Sequence, residues 1–101
     1  MKIAFTGDLV LQDVNKSPEY IFSEIRNWID SEGIELIANL ESPFIKKGFT
    51  ATKNKITLYC YEDASKYLNY LKPKLINLSN NHVNDYGNES VILTKNILSK
   101  N

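Results

Sequence analysis

One cysteine stands in 101 residues. Cys60 therefore closes no disulfide within the chain, which fits a reducing compartment and leaves the thiol as a core filler. No window approaches the roughly 20 consecutive apolar residues of a membrane span. Met1-Lys2 is followed by only four residues, Ile3 to Thr6, before Gly7-Asp8, so the start does not resemble a secretory leader. As written, this is a cytoplasmic chain or a piece of something longer. Net charge is also absent: twelve Lys and Arg balance twelve Asp and Glu, scattered along the chain. Without a net positive field to gather phosphate backbones, nucleic acid is a poor partner. What remains is ordinary globular composition, 43% apolar and 24% charged with three prolines, at a length that suits one small domain.

Residues 2–6 read as a short buried strand that Gly7-Asp8, two turn formers, would stop. Ser17-Pro18-Glu19 reads as a helix start: a hydroxyl to cap free N–H groups, a proline at the first helical position, and an acid suited to the helix dipole. Ile21, Ile25, Trp28 and Ile29 then fall on one helical stripe expected to face the core, and Gly33 is a natural stop. Residues 34–40 return as a strand parallel to the first. A basic, glycine-containing loop follows through Lys55, and residues 56–60 read as a further strand, edge or irregular. Ala64, Tyr67, Leu68 and Leu71 keep helical spacing up to Pro73. Residues 75–78 are a third core strand, residues 78–87 a polar loop, and residues 89–100 a last amphipathic helix. The order β-α-β-(β)-α-β-α predicts an α/β layered sandwich with a mostly parallel sheet.

Ligands of open parallel sheets bind outside the carboxyl ends of the strands. Each of the three best strands here ends in a polar cluster: Gly7-Asp8, Asn39-Leu40-Glu41 and Asn80-Asn81-His82. Parallel strands would bring Asp8, Glu41, Asn81 and His82 to one rim. Two carboxylates, an amide oxygen and an imidazole suit a divalent cation or a pair of them, and such a pair with a neighbouring histidine outlines phosphoester hydrolysis. Each residue also has a plainer reading. Asp8 after glycine is a common turn residue, Glu41 a solvated loop acid, Asn80 and Asn81 turn or cap residues, the lone histidine a structural group, and Asp85-Tyr86-Gly87 a turn.

The pieces IAFTGD (residues 3–8), ANLESP (38–43) and LSNNHVNDYG (78–87) resemble the fingerprint of the CapA family, bacterial capsule and poly-gamma-glutamate biosynthesis proteins similar to calcineurin-type metallophosphoesterases. The short Gly-Asp is weak by itself, whereas NLESP and NNHVNDYG in that order and spacing are specific. The resemblance implies that Asp8 is a metal ligand and Glu41 the bridging acid. It also implies that Asn81 is the amide ligand and that His82, the catalytic residue, contacts phosphate or donates a proton. Asn39, Asn80, Asp85 and Gly87 would support the loops. The implied cofactor is divalent Mn, Zn or Fe, one ion or two.

The resemblance reaches only the N-terminal portion of the family domain, which makes residues 1–101 a single truncated domain resembling the N-terminal half of a metallophosphoesterase fold. With one histidine the chain lacks the later histidine motifs, so the site would be incomplete in one copy. A half-domain would also leave apolar sheet surface bare, and a homo-oligomer or a separately encoded C-terminal half would cover it. The implied substrate is phosphorylated or belongs to the cell envelope. From a different class comes the alternative of a non-catalytic binding or assembly module from a truncated or split gene.

Overall fold

A computed structural model describes residues 1–52 and 56–100. The chain runs β1 (Lys2–Leu9), α1 (Pro18–Glu32), β2 (Ile34–Leu40), β3 (Phe44–Ile45), β4 (Cys60–Tyr61), a 3-10 turn (Glu62–Ala64), α2 (Ser65–Leu71), β5 (Leu75–Asn77) and α3 (Gly87–Ser99). Three strands form a parallel sheet in the order β1-β2-β5, and β3 and β4 form a separate parallel pair. This is the α/β layered arrangement with parallel sheets that the alternation of elements predicts. No helix among the described residues is long and apolar enough to cross a membrane.

α1 begins and ends as its sequence dictates. Ser17 Oγ accepts the Tyr20 N–H at 3.1 Å, Pro18 and Glu19 fill the first turn, and Gly33 closes the helix at φ +63°. Its buried face differs from the expected stripe. Ile29 is enclosed and Phe22 packs beside it, while Ile21, Ile25 and Trp28 remain 37–52% exposed. The stripe exists, but only its Ile29 edge meets the helix-covered face of the sheet.

That face is set by β2, whose Leu36, Ala38 and Leu40 alternate inward. Ile29 and Leu71 pack on Leu36, and Leu40 joins Phe44, Tyr67, Leu68 and Ile97 in the larger core. The helical spacing of Ala64, Tyr67, Leu68 and Leu71 is realised in full, since all four are buried. In α3 the enclosed positions are Ser90, Thr94 and Ile97, and Ile92 is 59% exposed. Two of these carry hydroxyls because the β3 backbone needs partners: Thr94 Oγ1 accepts from Phe44 N at 2.8 Å, and Ser90 Oγ donates to Phe44 O at 2.7 Å.

Several strand expectations change. The strand over residues 2–6 is not buried, with Ile3 51% and Phe5 75% exposed. The run over residues 75–78 pairs only from Leu75 to Asn77, with Leu75 60% exposed, because one face of the sheet has no covering layer among the described residues. Gly7 and Asp8 do not end β1; they form a bulge within it. The register steps from Phe5↔Ile37 to Asp8↔Asn39, so three residues of β1 span two of β2. Gly7 supplies φ +69° at the extra position. Residues 56–59 are not a regular strand, and only Cys60–Tyr61 pairs, alongside Phe44–Ile45. The basic loop ahead of them runs through residues 53–55, which lie outside the described residues.

Among the described residues nothing covers the outer row of the opposite sheet face. Phe5, Ile37 and Leu75 share one cross-strand row, with Phe5 75% and Leu75 60% exposed. Parallel sheets are normally covered on both faces, so this row is an exception in a chain of ordinary composition.

Candidate functional site: a polar row at the carboxyl edge of the sheet

One step beyond the apolar row, the same register aligns Asp8, Asn39 and Asn77 across all three strands. Register partners in a sheet point to the same face, and the bulge at Gly7 returns Asp8 to the face that carries Asn39. Glu41, two residues beyond Asn39, falls on that face too. The row lies at the carboxyl ends of parallel strands, the edge where open α/β sheets bind ligands.

Asn39 is the hub of this row. Its side-chain Nδ2 donates to Asp8 Oδ1 at 2.9 Å and to Glu41 Oε1 at 3.0 Å. Its Oδ1 accepts from Asn77 Nδ2 at 2.8 Å and Asn80 Nδ2 at 3.3 Å. Asn80 also donates to Leu40 O at 2.8 Å, and its Oδ1 accepts the His82 N–H at 3.0 Å, tying the 80–87 turn to the end of β2. A single amide thus bridges two carboxylates and is itself oriented by two more amides.

Glu41 is no solvated loop acid, being 6% exposed. Its Oε2 is enclosed and has no hydrogen-bond partner, the single such buried side-chain atom among the described residues. Burial pushes its carboxyl above the usual glutamate range and the neighbouring Asp8 charge adds to the effect, while the Asn39 hydrogen bond and the His82 ring pull the other way. Asp8, by contrast, is exposed at the rim.

His82 lies on the turn with its Nδ1 2.6 Å from Oδ2 of Asp85, a side chain with no exposed surface. The same Oδ2 accepts the Leu58 N–H at 2.8 Å. Asn81 is exposed on the turn beside His82, and Gly87, at φ +80°, opens α3. Cys60 takes no part: burial pushes its thiol up to about 12, so it stays protonated.

The structure therefore joins Asp8, Asn39, Glu41 and Asn80 directly through side chains and brings in His82 through its N–H to Asn80, with Asp85 holding the His82 ring from the other side. It adds Asn77, absent from the sequence-based set. The signal for Asn77 was there: it is the polar residue closing a short apolar strand, as Asn39 closes the preceding one.

Compared with known protein families, the chain matches the bacterial capsule synthesis protein family PGA_cap over residues 2–101. It belongs to that family. No curated protein and no solved structure matched the chain.

In this PGA_cap chain the polar row suits a divalent cation in two respects. Carboxylate and amide oxygens are hard donors of the type such ions take, and the enclosed Oε2 of Glu41 is an acceptor that lacks a positive partner. The charged donors are few. Among the described residues no group of three or more His, Cys, Asp and Glu side chains is placed to hold an ion.

Proposed function

We propose that this capsule-synthesis family chain carries part of a divalent-cation site of phosphoesterase type, serving a phosphorylated or cell-envelope substrate such as one on the route to poly-gamma-glutamate. The observation that carries the reading is the enclosed, unpartnered Glu41 Oε2 beside a second carboxylate at the ligand-binding edge of a parallel sheet.

Asp8 and Glu41, with the amide oxygen of Asn81, would hold Mn, Zn or Fe, and further donors would come from outside the single chain. When bound, such an ion supplies Lewis acidity toward a phosphoryl oxygen. The chain's own residues do the rest. Asn39 keeps the two acids in fixed positions, so that little reorganisation is needed on binding. His82 stands on the adjoining turn to give a proton to the leaving oxygen.

The bare row of Phe5, Ile37 and Leu75 supports the companion reading, an assembly role. A second copy of the chain or a separately encoded C-terminal half would cover that row and bring the missing donors to the rim.

Calorimetric titration with Mn²⁺, on samples of known oligomeric state, tests the site. Binding that Asp8→Asn and Glu41→Gln both abolish supports it. No binding at any oligomeric state overturns it and leaves the assembly role as the function of the fold.

A further inference from the structure

His82 is the chain's only histidine, and its ring meets a group that the proposed chemistry has not yet used. Asp85 is fully buried, three residues along the same turn, and its Oδ2 lies 2.6 Å from His82 Nδ1. That oxygen is not free to wander. The Leu58 N–H donates to it at 2.8 Å, and the Asp85 main chain is fixed by Asp85 N to His82 O at 3.0 Å and by Thr52 N to Asp85 O at 2.8 Å. The far side of the turn is clamped as well, with Thr57 Oγ1 3.3 Å from the Tyr86 hydroxyl and the Tyr59 and Tyr86 rings edge to face at 6.0 Å.

We propose that Asp85 is the positioning residue of His82: it holds the ring in the Nδ1–H tautomer and leaves Nε2 as the nitrogen that exchanges a proton at the rim. A carboxylate beside a histidine ring nitrogen accepts its N–H and so selects tautomer and orientation together. The Leu58 N–H is a second donor aimed at the same oxygen, which keeps that oxygen an acceptor and the ring nitrogen facing it a donor.

The role rests on the phosphoester reading of the rim, and the proton balance follows from it. As the leaving oxygen departs, the Nε2–H bond of the protonated ring breaks and an O–H bond forms on the leaving group. The ring is then neutral, with its remaining proton on Nδ1 against Asp85. Residues 57–59, distant in sequence from the rim, thereby set the aim of its acid.

Because the chain has one histidine, ¹⁵N labelling gives one pair of ring nitrogens, and long-range ¹H–¹⁵N correlation at a pH where the ring is neutral reads the tautomer directly. The expected spectrum of the wild-type chain has a protonated Nδ1 and a bare Nε2. Asp85→Ala removes the acceptor altogether and is expected to release the ring to the Nε2–H tautomer that an unconstrained neutral imidazole favours. An Nε2–H ring in the wild type overturns the proposal, as does an unchanged tautomer in a folded Asp85→Ala variant. If that variant does not fold, the wild-type spectrum decides alone. The Mn²⁺ titration separates this inference from the reading it rests on. Metal binding with an Nε2–H ring removes the role of Asp85 and keeps the site, whereas an Nδ1–H ring without metal binding keeps the dyad and removes the site.

Discussion

Asn39 donates its side-chain amide to one oxygen of Glu41 at 3.0 Å, and the other oxygen of that carboxylate is enclosed without a partner. Half of the acid is satisfied and half is not. An unsatisfied buried acceptor costs about 1–3 kcal/mol, so the arrangement persists at a cost that a proton or a cation would remove.

The proton leads to a pH dependence. The folded-state pKa of Glu41 lies above the ordinary value of 4.5, mainly through burial and then through Asp8. The stabilisation associated with its proton is complete below the unfolded value and is lost as pH rises through the folded one. The metal-free chain should therefore lose stability from this group as pH rises above about 4.5. Glu41→Gln removes that loss, so its stability relative to the wild type should grow across the same window. Urea denaturation of both chains at a series of pH values measures it, and a difference that does not change with pH would count against the burial of this acid.

The cation leads to a linkage. A ligand that binds only the folded chain stabilises it by about 2.7 kcal/mol at a hundred times its Kd. Mn²⁺ should raise the melting temperature of the wild type at neutral pH and leave Glu41→Gln and Asp8→Asn unmoved. Differential scanning fluorimetry with and without the metal is sufficient. Equal shifts in all three chains would place the ion elsewhere.

Much of the fold was legible because the signals were local. The Ser17-Pro18-Glu19 start, the Gly33 stop and the Tyr67–Leu68–Leu71 spacing each act within a turn or two, and each is realised. Candidate site residues were legible as polar residues at the ends of apolar runs, which is how Asp8, Glu41, Asn81 and His82 stood out, whereas Asn80, expected only to support the loop, is the turn amide that bonds Asn39. Three things depended on partners distant in sequence. The bulge at Gly7 shows only in the register with β2, since the same two residues read equally well as a turn. The hub role of Asn39 and the inclusion of Asn77 require knowing that three strands align in one row. Periodicity gives the stripe of α1, but whether Ile25 and Trp28 are covered depends on what packs beside β1, a strand paired on one side only.

The bulge itself can be tested. Nothing lies within 4 Å of a Cβ placed on Gly7, so a substitution there meets no clash and the cost is conformational, from φ +69° alone. Gly7→Ala should destabilise by about 1 kcal/mol, and Gly7→Val by more, because β-branched side chains tolerate the left-handed region poorly. Chemical denaturation gives the values. Because Gly7 returns Asp8 to the Asn39 face, metal affinity should fall more steeply than stability.

The Phe44 clamp offers a test of the core independent of the site. Phe44 N donates to Thr94 Oγ1 at 2.8 Å, and both residues are fully enclosed. Thr94→Val keeps the shape and leaves that N–H without its acceptor, which should cost about 1–3 kcal/mol. The measurement is the urea midpoint at constant slope. A neutral result would mean that the Phe44 N–H finds water, and that β3 is less enclosed than its packing against α3 indicates.

The bare row makes the last prediction. Phe5 and Leu75 are 75% and 60% exposed on either side of Ile37, on the sheet face that carries the polar row. Contiguous exposed apolar surface on a parallel sheet favours association, and β1 as an edge strand adds main-chain groups open to pairing. Sedimentation velocity should show concentration-dependent association of the wild-type chain that Phe5→Ser with Leu75→Ser abolishes. Neither substitution removes a buried contact of the helix-covered face, so the double variant should keep its far-UV circular dichroism. If the metal site is completed by the covering partner, the double variant should also lose Mn²⁺ affinity although Asp8, Asn39 and Glu41 are intact. If affinity is unchanged in a monomeric double variant, the donors within one chain suffice, and the bare row serves assembly alone.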